Sequence, residues 1–266
     1  MDPTDRFARL VRGPKDELDA NLDTAALLIA AHAHARPEGL DVDAPRKRLD
    51  ELAAACDEPV LAEVTNVLFG IEGFRPNDAD YYDPRNSYLD RVLERRVGIP
   101  ITLSIVLMEV ARRVGIPLEG VSMPGHFLVR LAGEPPILLD PFEGGRLLSE
   151  HECEQRFRAV QGPAAPFDPG YLEPVGTIAI LARMLNNLRN VHLQRQDSRS
   201  LEWVLRLRGL LPGATLEERT ERAGVLAALA RFDEAATLLE DLASEAPDQQ
   251  ADSMTSKARR LRARLN

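Results

Sequence analysis

The chain has 266 residues, of which 44% are apolar and 28% charged, the balance of a globular protein with a substantial core. Its formal net charge of −9 opposes nucleic-acid binding, and its two cysteines support neither a disulfide framework nor a thiolate metal site. The polar N-terminus lacks a signal-peptide core and no apolar run approaches ~18 residues, so we expect a cytoplasmic protein without metal, cofactor or membrane partner.

The first third of the chain is predicted to be helical. The segment "LDTAALLIAAHAHA" (residues 22–35) is rich in strong helix formers, and a second helix is predicted around Pro45, a residue suited to a first helical turn. In this second helix Leu49, Leu52 and Cys56 recur at helical spacing. Cys56 is therefore predicted to be a small buried side chain in an apolar stripe rather than a reactive thiol.

The middle of the chain is predicted to begin with a loop and two helices. The segment "RPNDADYYDPRNS" is dense in turn-forming residues, and "YLDRVLERRVG" is typical of a short helix. In "IPITLSIVLMEVARRVGIP" a longer helix is predicted to start near Pro100 to Thr102 and to stop at Gly115. Because its centre is apolar nearly all round, we expect this helix to be buried.

After Gly115 the pattern changes from helix to strand. The short apolar segments "LEGVSM", "HFLVRLA" and "PILLDPF" predict a small antiparallel sheet, with "GEPP" as a hairpin loop. Ser149 and Glu152 then form a capping-box pattern at the start of a helix, on whose surface Cys153 is predicted to lie. The proline-rich segment "QGPAAPFDPGYLEP" (residues 161–174) is predicted to be a linker.

The rest of the chain is predicted to be helical. Its segments "TLEERTERAGVLAALA" and "RFDEAATLLEDLASEAP" resemble one tetratricopeptide unit, with Ala223, Ala235 and Pro247 at the small, small and proline positions. Since three repeats are normally needed for an independent solenoid, we expect this region to pack on the preceding domain.

His126 and Asp140 are the pair of residues that point to chemistry. A cysteine-protease-like site needs a nucleophile at the start of a buried helix, then a histidine and an acid on neighbouring strands. This sequence supplies the buried helix, His126 and Asp140 in that order. Because paired strands lie about 5 Å apart, a hairpin can place the two side chains together.

The chain resembles the SirB1-type proteins in "LLIAAHAHARPEGLDVDAPRKRLDELA", "DPRNSYLDRVLERRVGIPITLSIVLMEVARRVGIPLEGVSMPGHFLVR", "LLDPFEGGRLLS" and "RFDEAATLLEDL". The resemblance implies an α+β, papain-like transglutaminase-like domain over residues 1–165, with a helical N-terminal part, and a tetratricopeptide-like helical region over residues 174–266. It matches His126 and Asp140 to the superfamily's catalytic histidine and aspartate. It also places the catalytic cysteine near Pro100 or Ile101, where this chain has no cysteine.

The missing cysteine leaves three functions open. The preferred one is a non-catalytic protein with a regulatory role that binds a protein, peptide or small ligand, His126 and Asp140 being a structural pair. The second is a hydrolase or acyltransferase that uses Ser104, or an activated water, with His126 and Asp140. The third is a helical-repeat scaffold. A protein or peptide partner is expected in each binding role, and the sequence does not specify an oligomeric state.

Four further residues are predicted to line the cleft beside His126. Asn86 and Tyr88 precede the two central helices, and Pro100 and Thr102 lie in the first turn of the second one. Thr102 is also predicted to cap that helix. If Ser104 is not a nucleophile, its hydroxyl is predicted to bond back to the carbonyl four residues earlier.

Overall fold

The computed structural model describes residues 2–34 and 41–264. The helices of its first part are α1 (Pro3–Arg12), α2 (Lys15–Asp19), α3 (Leu22–Ala31), α4 (Asp43–Ala54), α5 (Leu61–Thr65), α6 (Leu89–Arg95) and α7 (Pro100–Arg113), with a π-helix at Asn66–Ile71 and a 3₁₀ turn at Pro84–Asn86. Those of its second part are α8 (Glu150–Gln161), α9 (Thr177–Gln194), α10 (Ser198–Arg208), α11 (Leu216–Ala228), α12 (Phe232–Ala243) and α13 (Asp248–Arg262), with 3₁₀ turns at Pro141–Glu143 and Pro169–Leu172.

The strands are β1 (Arg75–Pro76), β2 (Val97–Gly98), β3 (Leu118–Val121), β4 (Leu128–Leu131), β5 (Ile137–Asp140), β6 (Arg146–Leu148) and β7 (Pro174–Val175). The predicted α+β class, with a helical C-terminal region, is confirmed. The helix predicted over residues 22–35 ends at Ala31, and Ala35 lies outside the described residues. Among the residues described, no helix is both long and apolar enough to pass through a bilayer.

Helix α7 lies at the centre of the main hydrophobic core, as its all-round apolar sequence predicts. Leu103, Ile105 and Leu107 are completely buried although they point in different directions around the helix. Pro100 occupies the first helical position, where its fixed φ suits a helix start. The chain leaves the helix through Gly115, whose positive φ of 85° favours glycine.

A buried group of charges fixes α7 to α3. The guanidinium of Arg113 contacts Asp23 and Glu109 at 2.6 Å each and Asp50 at 2.7 Å. Burial raises the pKa of Glu109, and the adjacent guanidinium groups of Arg112 and Arg113 oppose that effect. Because Asp23 and Glu109 are almost entirely removed from water, these ion pairs hold the two helices in one register.

The five-stranded sheet has the order β6-β5-β4-β3-β7, and all its strand pairs are antiparallel. The three predicted strands correspond to β3, β4 and β5. The pairing of Val129 with Leu139 sets the β4–β5 register and brings the start of β4 close to the end of β5. The edge strands β6 and β7 were not predicted, because segments of three and two residues carry no readable alternation.

The C-terminal helices divide between two apolar clusters. Side chains of α9 and α10, including Met184, Leu188 and Val204, belong to the main core around α3 and α7. Helices α11, α12 and α13 form a cluster of their own, whose centre includes Leu239 and Met254. The expectation that this region packs on the first domain therefore holds for α9 and α10. The boundary between residues 165 and 174, and the tetratricopeptide assignment, stay predictions.

Candidate functional site

The structure brings His126 and Asp140 together. Asp140 ends β5, where its Oδ1 accepts a hydrogen bond from the backbone N–H of Phe142 at 2.9 Å. Its Oδ2 lies 2.9 Å from Nε2 of His126. An ionised carboxylate can only accept here, so Nε2 carries a proton, and in the neutral imidazole the lone pair lies on Nδ1.

His126 does not lie on β4, as the strand prediction had it, but in the turn before that strand. The backbone N–H of His126 donates to the carbonyl of Met123 at 3.0 Å, and β4 begins at Leu128. Gly125 precedes the histidine with φ of +82°, and a Cβ there would lie 2.6 Å from Val160 on α8. Glycine is therefore needed at this turn, both for its backbone angle and for the close approach of α8.

Arg156 is a third member of the His126–Asp140 pair that the sequence reasoning missed. Its Nη1 lies 2.8 Å from Oδ2 of Asp140, the oxygen that also bonds His126, and its Nη2 contacts Glu143. The hydrogen bond from Arg156 holds the pKa of Glu143 below its usual range. Asp140 is fully buried, so Arg156 supplies the positive charge that compensates it. The field of Asp140 at His126 is correspondingly reduced.

Aromatic side chains surround the exposed side of His126. The ring of Phe142 meets the imidazole edge-on at 6.0 Å, and Tyr81 meets Phe142 at 6.4 Å. Tyr82 follows at 5.4 Å, and both tyrosines are exposed. None of the hydrogen bonds among the described residues involves Nδ1 of His126. The His126 side chain keeps 13% of its surface exposed, beside an aromatic rim that we define as Tyr81, Tyr82 and Phe142.

The first turn of α7 occupies the position where the resemblance places a catalytic cysteine. Pro100 and Ile101 are buried there, and the turn packs against the 3₁₀ turn that contains Phe142. Thr102 is not the N-cap residue that the sequence predicts, because Ile99 holds that position and Thr102 is the third residue of the helix. From there its hydroxyl accepts from the backbone N–H of Ile99 at 3.1 Å and donates to the carbonyl of Asn86 at 2.7 Å. The turn offers no thiol and no free hydroxyl.

Ser104 lies one turn further along α7 and is completely buried. Its hydroxyl has no hydrogen-bond partner among the described residues. The expected bond to the carbonyl four residues earlier is therefore absent, and that prediction is wrong. The bond to His126 that a serine nucleophile needs is absent as well, in the described part of the chain.

The two cysteines lie outside this arrangement. Cys56 is only partly buried and lies just beyond the end of α4, and its thiol donates to the carbonyl of Leu52 in that helix at 3.6 Å. Cys153 is fully buried, so the prediction of a surface position is wrong. It lies in an apolar cluster between the sheet and α8, where burial raises its pKa to about 11. A thiol with that pKa is a poor nucleophile near neutral pH.

Asn86 and Tyr88 have hydrogen-bond partners within the protein. The Asn86 amide donates to the carbonyls of Asp80 and Tyr81 at 2.8 and 3.2 Å, and so holds the loop that carries the aromatic rim. The hydroxyl of Tyr88 lies 3.2 Å from Nε2 of His192 in the core. Ligand binding by Asn86, Tyr88, Pro100 and Thr102 stays a prediction. In the structure, the side chains of Asn86 and Thr102 stabilise the loop and the start of α7 through hydrogen bonds to the backbone. Among the described residues no cluster of three or more histidine, cysteine or acidic side chains is suited to a metal ion.

Parts of this chain are similar to known proteins. A family model described as the transglutaminase-like superfamily matches residues 18–186. A UPF0162 protein of Xylella fastidiosa is 50% identical over 136 residues, which cover 50% of this chain and 48% of the relative. One from Vibrio cholerae is 36% identical over 143 residues, 53% of each chain. The chain thus spans about half the length of these relatives.

A eukaryotic protein shares a shorter segment. F-box only protein 21 of Mus musculus is 39% identical over 104 residues, which cover 36% of this chain but 17% of that protein. No solved structure matches the chain.

Proposed function

Because this chain belongs to the transglutaminase-like superfamily, we propose that it is a binding protein that lacks the cysteine chemistry of the superfamily. The observation that carries the proposal is the first turn of α7, where buried Pro100 and Ile101 stand in place of a thiol. The unpartnered hydroxyl of Ser104 supports it further, since a serine nucleophile must touch its base.

The proposed ligand is a peptide that binds beside His126. The aromatic rim offers apolar rings with polar edges, the side chains that most often anchor protein interfaces. Nδ1 of His126 adds one hydrogen-bonding atom for a backbone group of the peptide. The Arg156 contact favours this binding role, because it neutralises the carboxylate that would otherwise assist proton transfer by His126.

Selection of random displayed peptides on the whole protein tests this proposal. Enriched peptides are expected to bind the wild type. Tyr82→Ala is expected to lower the affinity for these peptides at least about tenfold, as loss of one interface anchor does. Leu193→Ala is the matched control, since Leu193 is an exposed apolar residue on α9, away from the rim. A site at His126 would be refuted if the selected peptides bind both Tyr82→Ala and His126→Ala as tightly as they bind the wild type.

A second candidate function is hydrolysis by a water that His126 activates. It is favoured by one observation: Asp140 accepts from Nε2 of His126, so in the neutral imidazole the lone pair lies on Nδ1, which no described residue bonds. Activated esters and peptides are the substrates to test. His126→Ala is expected to abolish any hydrolysis while the fold remains intact, and hydrolysis that survives this change would exclude the mechanism.

The helical C-terminal region supports the third possibility, a scaffold. A groove of about 870 Å³ lies between α9, α10, α11 and α13. Its arginines are already bound to acidic side chains, Arg189 to Glu221 at 2.7 Å and Arg208 to Glu218 at 2.6 Å. Among the described residues the groove lining has no aromatic side chain to anchor a partner, so it gives less support for one than the His126 site does.

A further inference from the structure

A separate cavity lies between the end of α3 and helix α6, and His126 is not among its lining residues. Its volume is about 470 Å³, within the range of small-molecule sites. Three arginines dominate its walls, Arg85, Arg91 and Arg95. Tyr88 and His34 contribute two further polar side chains.

The three guanidinium groups are held in place by carboxylates outside the cavity lining. Asp83 is almost fully buried and binds Arg85 at 2.8 Å and Arg95 at 3.3 Å. Asp90, also nearly buried, lies 3.6 Å from Arg91 and 2.7 Å from Nε2 of His34. A guanidinium has five N–H donors, and these contacts leave some of them unused. The arginines are thus oriented by the protein while keeping donors for a ligand.

The side chains that line the cavity are net positive. Three arginines face one acidic residue, Glu94, which lies 2.7 Å from Arg91. Three positive charges against one negative charge give +2, with His34 counted as neutral. Asp83 and Asp90, which lie behind the lining and bind the same arginines, balance this charge, so the cluster as a whole is neutral among the described residues while its guanidinium groups are the ones that face the cavity.

We propose that this cavity binds a small organic phosphate, a monoester held by the guanidinium groups of Arg85, Arg91 and Arg95. A phosphate monoester carries close to two negative charges at neutral pH, which can pair with the unused N–H donors of the three guanidinium groups that face the cavity. Its oxygens accept paired hydrogen bonds from arginine. The volume leaves room for an organic group beside Tyr88.

Titration calorimetry of the whole protein with glycerol phosphate tests the proposal, with succinate and sodium chloride as parallel titrants. Glycerol phosphate is expected to bind at one site and sodium chloride not to bind. Tighter binding of succinate than of glycerol phosphate would overturn the assignment to phosphate and indicate a dicarboxylate. Absence of binding by both at millimolar concentration would overturn the site itself.

Three variants locate the binding. Arg91→Gln is expected to lower the affinity for glycerol phosphate about tenfold, because one charge-assisted contact is lost. Glu94→Gln is expected to strengthen binding a few-fold, because it removes the negative charge of the lining and releases Arg91; damage to the fold could not produce this gain. Arg158→Gln is the matched control, an exposed arginine paired with Glu154 on α8.

The fold of each variant is checked by thermal unfolding. If Arg91→Gln is unstable, Arg85→Gln replaces it, since Arg85 is largely exposed. The cavity would be refuted as the site if Arg158→Gln lowers the affinity for glycerol phosphate as much as Arg91→Gln does. A lower affinity in Glu94→Gln would refute it as well. These outcomes are independent of the peptide proposal, because the titrants and variants do not involve His126.

Discussion

No residue in the described part of the chain forms a hydrogen bond with the hydroxyl of Ser104. Changing it to alanine removes a desolvated polar group without breaking a hydrogen bond, so we expect the free energy of unfolding to stay unchanged or to rise by up to about 1 kcal/mol. Urea unfolding measures this. The matched variant Thr102→Ala loses the bonds to Ile99 and Asn86 and is expected to cost about 1–2 kcal/mol. A large loss for Ser104→Ala would reveal a partner for its hydroxyl.

Arg156 compensates the buried charge of Asp140, and its removal is expected to be costly. Arg156→Met should lower the free energy of unfolding by about 2–3 kcal/mol, less than for a fully buried pair because Arg156 is partly exposed. Arg158→Met on the same helix should change it by about 0.5 kcal/mol or less. In a double-mutant cycle, Asp140→Asn should recover part of the loss. Equal effects of the two arginine variants would contradict the ion-pair role.

At the residue scale, the sequence predicted the pair but not its surroundings. His126 and Asp140 could be placed together because strand pairing follows from local pattern. Tyr81 and Phe142 come together only through tertiary packing, which leaves no periodic signal. The position of Arg156 could have been predicted in part. It lies three residues after Cys153 on the same helix face, so a buried Cys153 implies that Arg156 points towards β5.

At the element scale, β3 and α9 are in direct contact through Gly120. A Cβ at this position would lie 2.9 Å from the ring of Phe127 and 3.0 Å from Ile180. Gly120→Ala is therefore expected to cost about 1–3 kcal/mol through overpacking, as measured by urea unfolding. Gly224→Ala on α11 is the control, because its Cβ would meet open space, and a gain of about 0.5–1 kcal/mol is expected there. Similar effects at both glycines would argue against close β3–α9 packing.

Helices α3, α9 and α10 meet at two buried histidines. His32 stacks on Trp203 at 5.5 Å and His192 meets the same ring edge-on at 6.1 Å. Burial lowers the pKa of both histidines below the ordinary value of 6.5. Below about pH 6.5 the unfolded chain binds protons that the folded protein excludes. The stability contributed by these neutral histidines is thus complete above that pH and is lost as the pH falls.

Urea unfolding, followed by the fluorescence of Trp203, measures this loss. We expect the midpoint of the wild type to fall between about pH 7.5 and 5.5, above the range where carboxylates titrate. His192→Gln should show a smaller fall, since it removes one of the two groups. An equal fall in both proteins would show that His192 is not involved.

Element boundaries followed from the sequence where turn chemistry was explicit. Pro100 and Gly115 delimit α7 as predicted, and Ser149 forms the predicted capping box with Glu152. The edge strand β7 could not be predicted, because Pro174 lies in a proline-rich segment and pairs only across the sheet with β3. Short edge strands depend on the neighbour they pair with rather than on their own residues.

At the scale of the whole molecule, the main core determines where the chain can be shortened. Truncation after residue 174 removes α9 and α10 and uncovers the core around α3 and α7, so we expect loss of cooperative folding. Truncation after residue 212 removes α11, α12 and α13, whose apolar cluster is separate. This shorter chain should unfold cooperatively at a lower temperature. Circular dichroism on heating distinguishes the two, and a cooperative transition in the 1–174 chain would contradict the shared core.

Helix α8 contacts Asp140 and the residue that precedes His126. Near its middle Arg156 binds Asp140, and near its end Val160 packs against Gly125, the residue before His126. The helix therefore connects two separate segments of the chain, the turn before β4 and the end of β5. A displacement of α8 would release the carboxylate and the imidazole together. The relative position of the carboxylate and the imidazole therefore depends on α8, a helix outside the β4–β5 hairpin.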